Sequence, residues 1–192
     1  MKTALLASHE KGEELIRLGK LLSENGWTLL GSAGTAKYLN DNKVACRDVA
    51  EIVGPPILGH RVVTLSREIH AGLLAETPDD FAELKRLNIE PIDLVYITLY
   101  PLLKTIADPS ATPADVIEKT DIGGPTILRA AAKGRRLALS APSQIAHVET
   151  WIKHGAPESE REALVTRFAA ATERRVADYV SASAEYWERK IS

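Results

Sequence analysis

Short unbroken apolar runs alternate with amphipathic stretches along this chain. Residues 3–8 (TALLAS) and 27–31 (WTLLG) are such runs, short enough for buried strands. Between them, residues 10–24 place Leu15, Ile16, Leu18, Leu21 and Leu22 on one helical face, and Asn25-Gly26 supplies a stop. Strand, helix and strand with short connections predict a βαβ unit, and hence a parallel sheet. A weak third strand is expected near 44–48, a helix over 78–88, and the strongest strand at 93–100 (DLVYITLY), stopped by Pro101. Helices are expected at 112–119 and 125–134, and a last strand at 137–141 (LALSA). The apolar positions Leu164, Val165, Phe168, Val176, Tyr179, Val180 and Trp187 recur at roughly helical spacing behind a Ser159–Glu162 capping box. They predict a C-terminal helix pair over 159–190, packed on the sheet or on a partner subunit. The whole is a three-layer, doubly wound α/β domain over residues 1–192, with a mainly parallel sheet of about five strands.

Composition narrows the function classes. Apolar residues make up 45% of the 192, and the net charge is −2. The first is ample for a core; the second offers no electrostatic case for nucleic acid or an anionic membrane. One cysteine, Cys46, excludes an internal disulfide framework and a Cys-rich zinc site. The five histidines show no metal-ligand spacing. No apolar run nears the roughly 18 residues of a membrane span, and the N-terminus meets His9, Glu10 and Lys11 too soon for a signal peptide. A cytoplasmic protein is expected.

Ligands of such sheets sit beyond the C-terminal strand ends, which selects five places. Ser8 to Lys11 follows the first strand. Gly31-Ser32-Ala33-Gly34-Thr35-Ala36-Lys37 follows the second; small residues, hydroxyls on Ser32 and Thr35 and a helix start fit either a phosphate cradle or a plain tight turn. It lacks the GK[ST] ending of a P-loop. Tyr100 closes the strongest strand, facing a ligand or capping the core. Arg61 is a fixed cation within GHRVVTL, and a lone arginine also suits a solvated surface. The fifth place is TDIGGPTILRAAAKGRR (120–136). Pro125 suits the first helical position, Gly123 and Gly124 leave the approach open, and free N–H groups there would favour an anion. Arg129 and Lys133 are i and i+4, on one face. A tidy helix start ending in solvated bases explains the same residues.

"GSAGTAKYL", "RVVTLSREIHAGLLA", "IEPIDLVYITLYPL" and "DIGGPTILRAAAKG" fall in the order of the IMP cyclohydrolase domain of the bifunctional purine-biosynthesis protein, and the chain resembles that domain from about residue 3 to 185. The resemblance implies a methylglyoxal-synthase-like fold and closure of the second purine ring on a formylated aminoimidazole carboxamide ribotide, with no cofactor or metal. It implies Tyr100, Asp121 and Lys133 around the reacting carbon. Substrate and phosphate contacts would come from Ser8, Lys11, Ser32, Gly34, Thr35, Arg61, Thr64, Gly123, Gly124 and Arg129. A homodimer is expected; whether a separate formyltransferase supplies the substrate is left open by the sequence.

Several positions depart from the family pattern. Val63 stands for a lysine, Leu65-Ser66-Arg67 for L-H-P, Thr98 for an asparagine, and Gly134-Arg135 for the N-H after Lys133; FAAATERR replaces a His- and Tyr-containing segment. Arg67, Arg135 and Arg136 are candidates to restore the charge lost at Val63. The departures keep two alternatives in view: a different ribotide as substrate, or a nucleotide-sensing domain like the regulatory domain of carbamoyl-phosphate synthetase. A methylglyoxal synthase lacks support, since VGPPILGH has no aspartate.

Overall fold

The computed structural model describes residues 2–59 and 61–191. Five parallel strands form its centre: β1 (Lys2–Ser8), β2 (Trp27–Gly31), β3 (Arg47–Asp48), β4 (Leu94–Thr98) and β5 (Leu137–Leu139), ordered β3-β2-β1-β4-β5. Every residue of β4 is buried, as a parallel strand covered on both faces requires. Ser8 stands opposite Thr98, so β1 and β4 finish level. The chain winds outward from β1 through β2 to β3, then crosses back to place β4 and β5 on the other side. The crevice between β1 and β4 is thus the topological switch point, where open α/β sheets bind ligands.

Helices cover both faces. On one, α1 (Glu13–Glu24), α2 (Ala33–Asp41) and α9 (Ile145–Lys153) bury Leu15, Leu18, Leu22, Leu39 and Trp151. Full burial of a leucine stabilises by about 1.5–3 kcal/mol, so α1 is held by its apolar stripe. On the other face, α4 (Arg67–Leu74), α6 (Leu102–Ala107) and α8 (Gly123–Lys133) bury Ile69, Leu73, Leu102, Ile127 and Leu128. Three further helices lie between these: α3 (Ala50–Val53), α5 (Pro78–Arg86) and α7 (Pro113–Glu118). In α5 and α7 a Thr–Asp capping box and a first-turn proline set the start.

The expected C-terminal helix pair is one helix, α10 (Glu158–Ile191), of 34 residues. No glycine or proline interrupts residues 158–191, so nothing breaks it. Ser159 lies inside its first turn and is not a cap. Val165 and Phe168 enter one core, while Val176 and Tyr179 enter the other; α10 wraps the edge of the sheet. Thr172 marks the crossing. It is wholly buried, and its hydroxyl donates to the Ala138 carbonyl of edge strand β5 at 2.7 Å. Thr172→Val keeps the shape and strands that carbonyl, which should cost about 1–3 kcal/mol. A lower urea midpoint at unchanged slope is the expected reading; an unmoved midpoint would count against the bond.

The end of α8 explains the Gly134-Arg135-Arg136 departure. A Cβ on Gly134 would stand 2.0 Å from the Leu73 carbonyl oxygen of α4, so the two helices meet backbone to backbone. Arg136, 7% exposed, donates through Nε to the same oxygen at 2.8 Å and through Nη2 to Ala75 O. It caps the C-terminus of α4 from outside. Arg135 joins Glu162 and Thr166 on α10. Arg67 pairs with neighbouring Glu68 on the surface. None of the three arginines restores the charge lost at Val63.

Candidate active site

A cavity of about 670 Å³ opens at the switch point, within the roughly 300–1,000 Å³ usual for small ligands. Of the residues singled out in the sequence, Ser8, Lys11, Ser32, Gly34, Arg61, Thr64, Tyr100, Asp121, Gly123 and Gly124 line it. Five separate loops therefore converge, as the strand-end rule expects.

One end is built on the turn from β2 into α2. Ser32 caps the helix by position, and its carbonyl accepts from Thr35 N at 2.7 Å and Ala36 N at 2.8 Å. Thr35 is fully buried, so its hydroxyl organises the loops from beneath. Its Oγ1 accepts from Ser8 N (3.1 Å), Lys11 Nζ (3.0 Å) and Ser32 Oγ (3.1 Å). Lys11 Nζ also donates to the Ser8 carbonyl. Partial burial pulls the Lys11 ammonium below its ordinary pKa. A Cβ on Gly34 would meet nothing within 4 Å, so open space lies in front of the first turn of α2. The Ser8 hydroxyl is committed within the protein. It donates to Glu10 O at 2.5 Å and meets Thr98 Oγ1 at 2.7 Å. Thr98 thus ties the tips of β1 and β4.

Tyr100 and Asp121 mark the other end. Burial raises the Tyr100 pKa, and the charges of Asp121 and Glu118 add to it. Burial also lifts the Asp121 carboxyl above the usual range, opposed by backbone N–H groups of Gly124, Tyr100 and Gly123 and by the charge of His9. Gly124 N donates to Asp121 Oδ1 at 2.9 Å. The helix mouth is therefore already occupied by the protein's own carboxylate and is not free for an anion. Helix α8 also begins at Gly123, placing Pro125 third. A Cβ on Gly124 would lie 2.5 Å from Asp121 Oδ2 and 2.7 Å from Leu99 Cδ2, so both side chains would have to shift. Tyr179 of α10 fixes the strap before it: its hydroxyl accepts from Asp121 N at 2.8 Å and donates to Lys119 O at 3.1 Å.

An antiparallel bridge with two backbone bonds joins Ile57 to Val62, and Arg61, Val63 and Thr64 reach the cavity beside it. Thr64 Oγ1 lies 3.1 Å from where a Cβ on Gly123 would stand. The Arg61 side chain stays 70% exposed, 3.8 Å from Glu118. Ser66, at another departure, caps α4 by accepting from Ile69 N at 3.1 Å.

Arg129 and Lys133 are not brought to this cavity. Both are exposed on α8, and Arg129 pairs with Glu173 at 3.2 Å. Lys133 is ten residues past Gly123, about 15 Å along the helix, so it forms no pair with Asp121 of its own chain. His9, Glu118 and Trp187 line the cavity without having been singled out. The position of His9 just past the first strand was a usable signal; nothing local marked Trp187. Among the described residues no cluster of three or more metal-ligating side chains occurs, and no helix is long and apolar enough to cross a membrane.

The MGS-like domain family matches residues 14–126. The bifunctional purine biosynthesis protein PurH of Thermosynechococcus vestitus is 47% identical over 149 residues, covering 74% of this chain and 29% of that protein. PurH of Halalkalibacterium halodurans is 37% identical over 192 residues, covering 94% and 37%. The chain thus spans roughly a third of the length of these curated relatives. The crystal structure of ForH superimposes with a TM-score of 0.84 at 32% identity, covering 98% of this chain and 97% of that one. With the family matched over more than half of the chain and a relative matched over nearly all of it, this chain belongs to the MGS-like domain family, as a homologue of the cyclohydrolase domain of PurH.

Proposed function

We propose that this protein closes the purine ring of a formamido-imidazole-carboxamide ribotide. One observation carries the proposal: a single cavity joins the open loop of Lys11, Ser32 and Gly34 to a tyrosine and a carboxylate with raised pKa values. The ribose phosphate would sit at the start of α2, where N–H groups and Lys11 suit an anion. The formyl and carboxamide groups would then lie between Tyr100 and Asp121. The carboxylate of Asp121, more basic than an ordinary aspartate, accepts the amide proton as nitrogen attacks the formyl carbon. Tyr100, kept protonated, donates to the oxyanion that forms. Val63, Ile97 and Ile127 give that end an apolar wall, which strengthens both interactions.

A homodimer belongs to this proposal. Ile117, Ile122, Val180 and Trp187 are 61%, 60%, 54% and 39% exposed, more apolar surface than an isolated face near a cavity needs. Lys133, which does not line its own cavity, would act in that of a second copy.

The test is to incubate the protein with the formylated ribotide and follow IMP by ultraviolet absorbance. Turnover upholds the proposal; IMP binding without turnover refutes it and leaves a nucleotide-binding function. Thr35→Val removes the anchor of Lys11 and should weaken binding of a nucleoside monophosphate about tenfold by calorimetry, the 1.4 kcal/mol of one good hydrogen bond. Unchanged affinity would rule out the cradle.

A further inference from the structure

The proton inventory of the cavity is short. Tyr100 and Asp121 are engaged in the attack proposed above. Lys11 is held by Ser8 and Thr35. Arg61 sits at the mouth facing Glu118, and a guanidinium does not give up its proton. Val63, Ile97 and Ile127 contribute none. Yet closing the ring requires two rounds of proton transfer, because a water molecule leaves after the carbon–nitrogen bond has formed.

Glu118 also lines the cavity and faces Arg61 at 3.8 Å; among the other described titratable residues there, His9 remains. Its backbone N–H donates to Thr98 O at 3.2 Å, which pins the residue at the tips of β1 and β4. Its ring stands edge-on to Tyr100, 5.2 Å between centroids at 68°, and its charge favours the ionised form of Asp121. Among the described residues, its ring nitrogens have no hydrogen-bond partner. An exposed imidazole that lines the cavity beside the two reacting groups is placed to serve a ligand.

Resting on the ring-closure proposal, we infer that His9 is a further catalytic residue, the proton carrier for the loss of water. Tyr100 protonates the oxyanion and regains a proton from Asp121, so that after attack the former formyl carbon bears a hydroxyl and two nitrogens. Its C–O bond breaks with the electron pair leaving on oxygen. The imidazolium of His9 gives that oxygen a proton, and water departs. The neutral imidazole then takes the proton of the former formamido nitrogen as the C=N bond forms, which restores the imidazolium. No oxidant, reductant or further reactant enters. Histidine suits the task because its charge changes within the physiological range. The groups around the ring are Tyr100 after β4, Asp121 before α8, Glu118 at the end of α7, Arg61 across the mouth, and Glu10 and Lys11 on its own loop.

Kinetics with the formylated ribotide across pH test this directly. His9→Gln should lower kcat by about 10²-fold, leave KM within about twofold, and remove one limb of the kcat–pH profile. His9→Ala should regain activity with added imidazole. A kcat within twofold of the wild type, or an effect confined to KM, overturns the inference. The imidazole NMR signals of wild-type His9 give a second measurement. They should shift, and their titration midpoint should move, when IMP is added; signals that stay put overturn it whatever the activity. Wild-type protein that turns over no ribotide refutes ring closure itself, and contact between His9 and the nucleotide is then decided by the NMR measurement.

Discussion

Asp121→Asn should reduce kcat for ring closure by about 10²–10³-fold and leave the protein at least as stable at pH 7. Both halves come from the same burial. The carboxyl is held above the usual carboxylate range by desolvation, so the fold disfavours its ionised form. An acid with a raised folded pKa binds its proton more tightly in the folded than in the unfolded state. Its contribution to stability is therefore greatest at low pH, and is lost as pH rises from the ordinary aspartate value to the raised one. Asparagine removes that charge and can still accept from Gly124 N, so the start of α8 survives. It cannot accept a proton, so the attack loses its base. Thermal unfolding at pH 7 and steady-state kinetics separate the two effects. A large fall in melting temperature would mean that the carboxylate holds the fold; undiminished kcat would remove Asp121 from the chemistry.

The largest effect on stability is expected at Gly134. Replacing the C-cap glycine of a helix by alanine, at its φ of −77°, would ordinarily help by a few tenths to about 1 kcal/mol, chiefly through unfolded-state entropy. Here the added methyl would lie 2.0 Å from Leu73 O, an atom that also receives the Arg136 bond. The collision is with backbone, so α4 and α8 must separate. Overpacking of this kind costs about 3 kcal/mol or more, which outweighs that gain. Gly34→Ala is the contrast. Its methyl meets nothing within 4 Å, so stability should hold or rise slightly, while nucleoside monophosphate affinity falls because the cradle is filled. Urea unfolding and calorimetry on both variants check the pair. Equal stabilities would show that the close approach of α4 and α8 is not required.

Much of the site could be read along the chain because its residues cluster just past strand ends. Ser8 and Lys11, Ser32 to Thr35, Tyr100, and Asp121 to Gly124 each occupy one short loop, and strand–loop order in a parallel sheet sends all such loops to one side. Arg129 and Lys133 were legible only as a shared helical face. A helix has two ends, and spacing alone does not say which end meets the cavity. The same limit hid the work of Ser66, Gly134 and Arg136. Each answers to a neighbour far away in sequence, or to a helix that propensity did not reveal: α4 was not anticipated at all.

By itself, then, the sequence determined the strands, most helices, the parallel order and the loops that would bear ligand, since periodicity and turn chemistry act over a few residues. Only the tertiary structure decided that Asp121 fills its own helix mouth, that Thr35 works from beneath the cradle, that α10 runs unbroken past both cores, and that Lys133 leaves the cavity while His9 enters it. Those outcomes depend on burial and on contacts between residues dozens of positions apart, for which a single chain read in order carries no local signal.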